Sequence, residues 1–224
     1  LSRVGKALAA SAVAAAALLG ASGTAAAETI KVCKDTCRYD TITKGIAAAN
    51  ANDTVTVGPG TYEESVRINT PGITLVSTDG AAATTIIGPF NEESFATVSI
   101  SADDVTLDGF TITRSGNTPD EWPEGVNKKK IGVAIQQPTV ENAVVQNNVI
   151  TANRTGIDIN NSSGHTLVNN AITNNRTGIV LRNQTDNLVV ENNTITDNWT
   201  IGVVFLDAGG APPQQALGSR FYNN

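Results

Sequence analysis

The chain has 224 residues, enough for one domain with its own core and too few for several. It is 40% hydrophobic but only 4% aromatic, with no methionine, so the core must be built from Val, Ile, Leu and Ala. A formal net charge of −6 excludes a general nucleic-acid binder, which needs a basic surface.

Residues 1–27 read as a secretory signal peptide. Arg3 and Lys6 give a basic start, residues 7–20 are apolar but too short to cross a bilayer, and Ala25-Ala26-Ala27 fits an A-x-A cleavage site. A mature, exported domain is therefore expected over residues 28–224. No later stretch is apolar for long enough to span a membrane. In an oxidising compartment Cys33 and Cys37 are expected to form a short-loop disulfide, and two thiols alone make a poor metal site.

Next comes YDTITKGIAAANANDTVTVGPGTYEESVRI, residues 39–68. Ile42, Ile46 and Ala47 are spaced for the apolar face of a short helix, and TVTV follows as a first strand. ITLVSTDG and TTIIGPF read as further strands, and DDVTLDGFTIT as strand, corner, strand with Gly109 and Phe110 at the corner. Residues 114–130, RSGNTPDEWPEGVNKKK, then form an insertion longer than a turn needs, and long loops on rigid scaffolds often carry function.

Beyond the insertion the chain repeats itself. IGVAI, TGIDI, TGIVL and IGVVF align on Gly132, Gly156, Gly178 and Gly202, spaced 24, 22 and 24. NNVIT, NNAIT and NNTIT recur at Asn147, Asn169 and Asn192. A period in the low twenties signals a solenoid. The runs are short and rich in Val, Ile and Thr, and they lack the regular leucines of a leucine-rich repeat. They predict three strands per turn of a parallel β-helix, with coils about 4.8 Å apart. Inward columns are expected at Val133, Ile157, Ile179 and Val203, and at Ile135, Ile159, Leu181 and Phe205. Others are Val145, Leu167 and Val190, and Ile150, Ile172, Ile195 and Phe221. Asn147, Asn169 and Asn192 recur at one corner, beside Asn148, Asn170 and Asn193, and their amides are expected to stack there as a ladder. Asn153, Asn175, Asn198 and Asn224 are expected to stack at another. SRFYNN closes the chain with a strand and corner but no cap, which leads us to expect further coils or a partner chain at that end.

The opening stretch at residues 39–68 resembles right-handed β-helix proteins of the pectin lyase-like superfamily, in which a short amphipathic helix, an extended strand and G-T-Y-x-E precede the coils. The resemblance implies an all-β, single-stranded right-handed parallel β-helix of about 22–24 residues per coil, with a short N-terminal capping helix. It also implies action on acidic polysaccharides, by lyases, hydrolases, esterases or epimerases, or else an adhesin or tailspike role. GTYEE resembles the first pectin esterase motif, but the later esterase motifs are missing. So are the catalytic sets of polygalacturonases, mannuronan epimerases and typical pectate lyases. Fold alone does not settle activity.

Candidate chemistry sits on the outward face of the glycine-bearing strands. Asp158 and Arg182 lie one coil apart on a diagonal, within long-side-chain reach. With Lys130 they form a candidate catalytic set for β-elimination, in which a base takes the proton beside a uronate carboxylate and a cation stabilises the charge that develops. The plain alternative is a solvated ion pair. Gln136 and Asn160 flank them as candidate substrate contacts. In the insertion Trp122 suits a sugar ring, and Lys128 and Lys129 suit its carboxylate. Asp120, Glu121 and Glu124 offer oxygen ligands for calcium. The alternative is a charged surface loop. Residues 206–215 form a second loop at the other edge of the same face. His165, between Ala143 and Leu188 in its column, reads as structural. Trp199 falls where the other coils carry Arg154 and Arg176, a stripe that reads as a minor contact surface or solvated exterior. Two functions follow: a secreted protein acting on or binding acidic polysaccharide, or a non-catalytic surface or carbohydrate-binding module.

Overall fold

The computed structural model describes residues 26–89, 95–116, 131–209 and 213–224. They form a right-handed parallel β-solenoid of about seven turns with one short helix. Strands are three to six residues long, and most runs of β-branched residues end at a corner with a residue in the left-handed backbone region.

Three parallel sheets run along the axis among the described residues. The eight-stranded sheet runs from Thr29–Val32 to Arg220–Tyr222. A six-stranded sheet carries the glycine-bearing strands Ile131–Ile135, Thr155–Asn160, Thr177–Arg182 and Ile201–Leu206, preceded by Val66–Ile68 and Ala96–Ile100. The third, also six-stranded, runs from Gly60–Glu63 to Thr194–Thr196. The register follows the repeat: Val133 pairs with Ile157, Ile157 with Ile179 and Ile179 with Val203. Inward residues from the three sheets merge into one continuous core, so each coil buries its apolar side against its neighbours.

Two asparagine ladders hold the corners. In the first, the side-chain oxygen of Asn170 accepts from the backbone N–H of Asn148 (3.1 Å) and from its amide (3.2 Å), and Asn193 does the same for Asn170. The preceding residue of each pair takes a positive φ: 56° at Asn147, 57° at Asn169 and 54° at Asn192. Gly109 takes that place one coil earlier at φ 79°, and the Phe110 N–H donates to Asn148 at the head of the ladder. The second ladder joins Asn153, Asn175 and Asn198.

Asn224 belongs to the first ladder, where its side-chain oxygen accepts from Asn193, and Phe221 pairs with Val190. Both were expected one sheet over. The loop after Leu206 lengthens the last interval, so that Arg220–Tyr222 joins the eight-stranded sheet. The cap helix, Ile42–Ala48, buries Ile42, Gly45 and Ile46, while Ala47 is exposed. Thr41 caps it, and the Glu64 carboxylate accepts from the backbone N–H groups of Ile42 (2.8 Å) and Thr43 (2.9 Å). Tyr62 is fully buried and its hydroxyl donates to the Gly58 carbonyl. GTYEE is therefore a capping device here. TVTV is the second strand, since Thr29–Val32 pairs ahead of it. Cys33 and Cys37 form the expected disulfide, with a Cα–Cα distance of 5.3 Å.

The recurrent glycines mark where consecutive coils approach most closely. A Cβ on Gly156 would sit 2.6 Å from the Gly178 carbonyl oxygen and 2.9 Å from Ile172 Cγ2. On Gly202 the nearest atom would be 3.5 Å away. Gly156→Ala is therefore expected to destabilise the fold by about 1–3 kcal/mol through overpacking against backbone, and Gly202→Ala to cost little. Urea unfolding midpoints compare the two, and equal losses would refute the close-approach explanation.

Candidate functional site

The outward side of the glycine-bearing sheet forms a groove of about 760 Å³. Alternation along Thr155–Asn160 and Thr177–Arg182 sends Ile157, Ile159, Ile179 and Leu181 inward, and leaves Asp158, Asn160, Val180 and Arg182 for the outer face. Thr155 and Thr177 line one margin, Gln136, Asn160 and Arg182 the other, and Val180 and Val204 the floor.

Asp158 and Arg182 meet as the diagonal predicts. Arg182 Nε donates to both carboxylate oxygens (2.9 and 3.0 Å) and its Nη2 donates to Oδ2 (2.9 Å). The pair is not solvated on both sides: the Asp158 side chain is 1% exposed and that of Arg182 29%. A carboxylate taken this far from water needs such a bidentate partner, and removing Arg182 would strand a buried charge. Asn160 accepts from the Asn183 amide at 2.9 Å, which fixes its orientation at the groove margin.

The feature given too little weight at the level of sequence is the arginine pair at the opposite margin, read there as a minor contact surface or solvated exterior. Arg154 and Arg176 follow the ladder asparagines Asn153 and Asn175, so the second ladder sets them one coil apart. Both line the groove, and the Nε of each is buried with no hydrogen-bond partner among the described residues. Burial lowers the pKa of Arg154, and the charges of Arg176 and Arg182 lower it further against the opposing pull of Asp158. Two guanidinium groups held close with unused donors are an arrangement that an anion relieves. The signal was present in the recurring N-R-T-G-I of residues 153–157 and 175–179.

Of the expected site, the structure brings together Asp158, Arg182, Gln136 and Asn160. Lys130, Trp122, Lys128, Lys129, Asp120, Glu121 and Glu124 lie outside the described residues. Among the described residues no group of three or more His, Cys, Asp or Glu side chains comes together. No helix there is long and apolar enough to cross a membrane. His165 is fully buried, and its Nδ1 accepts from the Ala143 N–H at 3.0 Å. Trp199 lies at the end of the arginine stripe and is 56% exposed.

The family model described as "Periplasmic copper-binding protein (NosD)" matches residues 31–224. No curated protein matches. Among solved structures, the chain is similar to pectin methylesterase PemA from Erwinia chrysanthemi, at 15% identity and a TM-score of 0.49 over 71% of this chain. It spans 54% of the length of that enzyme. It is similar also to a pectin methylesterase in complex with a hexasaccharide, at 12% identity and a TM-score of 0.50, covering 86% of this chain and 78% of the other. At that identity the likeness speaks to the fold alone.

Proposed function

The chain belongs to the NosD family, described as periplasmic copper-binding proteins, and from that membership and the groove we propose that it is exported and binds an acidic polysaccharide along the outer face of the glycine-bearing sheet. One observation carries the reading: Arg154 and Arg176 line a groove with buried Nε–H donors that no group among the described residues accepts. A uronate or sulfate group supplies the missing acceptors and the opposite charge. A long open groove suits a polymer better than a small molecule. The hexasaccharide of the pectin methylesterase neighbour lends a ligand class to the same fold.

Binding without turnover is the form of this reading that the geometry favours. β-Elimination requires a free base. Among the described residues that line the groove Asp158 is the only carboxylate, and Arg182 holds both of its oxygens. In this proposal Asp158 positions Arg182, Gln136 and Asn160 hydrogen-bond sugar hydroxyls, and Trp122, Lys128 and Lys129 are the further residues to test for sugar binding. Lys130 is the base to test if turnover occurs, and Asp120, Glu121 and Glu124 are the ligands to test if calcium matters.

The test is affinity measured on pectate, alginate and a glycosaminoglycan, with and without calcium. Arg154→Ala/Arg176→Ala is expected to weaken binding to one of these polymers by about ten- to a hundredfold, the loss of one or more charge-assisted hydrogen bonds. This variant is preferable to one at Arg182, which would expose the buried Asp158. Ultraviolet absorbance of unsaturated uronates in the same mixtures is expected to stay flat, and a rise would establish a lyase. Absence of binding to all three polymers, or a double variant that binds like the wild type, would overturn the proposal.

A further inference from the structure

We infer that this chain holds no copper on its own side chains, although its family is described as copper-binding. The argument rests on the donor inventory and does not depend on the polysaccharide reading. Copper(I) selects thiolate and thioether sulfur, and copper(II) favours imidazole and other nitrogen donors in a tetragonal set. The 224 residues contain no methionine, two cysteines and one histidine. Cys33 and Cys37 are bonded to each other, so neither offers a thiolate.

His165 cannot substitute for a site. Its ring is fully buried, with Ala143 and Leu188 buried in the same column. The Nδ1 lone pair is already used by the Ala143 N–H. Nε2 therefore carries the proton and is buried without a partner. Ligation through Nε2 would require moving that proton to Nδ1 and breaking the Ala143 bond, and then burying a charged ion in an apolar column. No second imidazole, thioether or free thiol exists in the sequence to complete a coordination set. The groove is lined by Arg154, Arg176 and Arg182, so its field repels a cation. Residues 31–224, over which the family model matches, then carry the coil repeat with its glycine column and asparagine ladders, and no set of copper donors.

The experiment uses the oxidised protein. Copper(II) is offered under equilibrium dialysis, and copper(I), kept reduced by ascorbate, is offered against a chromophoric chelator. The expected result is no copper retained through gel filtration, no copper withdrawn from the chelator and an unchanged melting temperature. One equivalent retained and lost in His165→Asn would overturn the inference and place the metal at the core histidine. One equivalent held only after disulfide reduction, and lost in Cys33→Ser/Cys37→Ser, would overturn it too and place the metal on the thiols. Either outcome leaves polysaccharide affinity unaffected, so failure here is distinguishable from failure of the groove proposal.

Discussion

Asn170→Ala is expected to cost about 3–5 kcal/mol, a large share of the roughly 5–15 kcal/mol that stabilises a domain of ordinary size. Its amide, 1% exposed, donates to the Val145 carbonyl (2.8 Å) and to Asn193 (3.0 Å), and accepts from the backbone N–H of Asn148 (3.1 Å). Alanine would leave the Asn148 N–H and the Val145 C=O without these partners inside the solenoid, each costing about 1–3 kcal/mol, and would add a small cavity. Its neighbour provides the control. Asn169 is exposed and sits at φ 57°. Asn169→Gly should be close to neutral, and Asn169→Ala should cost about 1–2 kcal/mol for the left-handed backbone. Because each coil contacts only its neighbours, hydrogen exchange should show the damage confined to the coils around Asn148, Asn170 and Asn193. Equal losses at positions 169 and 170 would mean that the ladder is decoration and the turn geometry is what matters.

The second large effect is on the pH dependence of stability. Burial pushes the pKa of His165 down from 6.5 to about 4, against a small opposing pull from the Asp103 charge. In the folded protein the ring therefore stays neutral well below pH 6, while in the unfolded chain it gains a proton below pH 6.5. Between these values the unfolded state binds more protons, so stability falls as the pH drops from about 6.5 to about 4 and levels off below that. The span corresponds to roughly 3 kcal/mol. Asn at position 165 can still accept from the Ala143 N–H, as the ladder asparagines do one corner away, but it does not titrate. His165→Asn is expected to be less stable at pH 7 by a packing loss that does not vary with pH, and to show a flatter profile between pH 6.5 and 4. Hydrogen-bonded carboxylates such as Asp186, whose pKa is lowered because bonds from Gln184, Leu217 and Gln215 outweigh its burial, contribute equally to both proteins and cancel in the difference. Parallel wild-type and variant curves of unfolding free energy against pH would refute the assignment.

Much of the solenoid is readable in the sequence because parallel, in-register stacking turns a sequence period into a contact. Spacings of 24, 22 and 24 between Gly132, Gly156, Gly178 and Gly202 are the intervals that the strand pairing uses. The same logic places Asn148 over Asn170 and Val145 beside Leu167. It fails where the period changes. Phe221 and Asn224 follow a loop of unmatched length, and only the pairing of Val190 with Phe221 shows which sheet they join. It also says little before the repeat becomes regular, which is why Thr29–Val32 went unrecognised and Ala47 was placed on the buried face of the cap helix.

The groove divides along the same line. Alternation within a strand puts Asp158 and Arg182 on the outer face, and that much follows from residue order alone, because successive side chains of a strand point to opposite sides. Whether an outward residue meets water is decided by what the neighbouring coils place over it. Asp158 is buried because Arg182 reaches across from the next coil, and Arg154 and Arg176 converge on the groove because the ladder beside them fixes where each corner turns. Period and alternation are properties of one chain read along its length, and they set the coil, its core and its faces. Burial, partner choice and the electric field of the groove arise between coils, so only the assembled solenoid decides them.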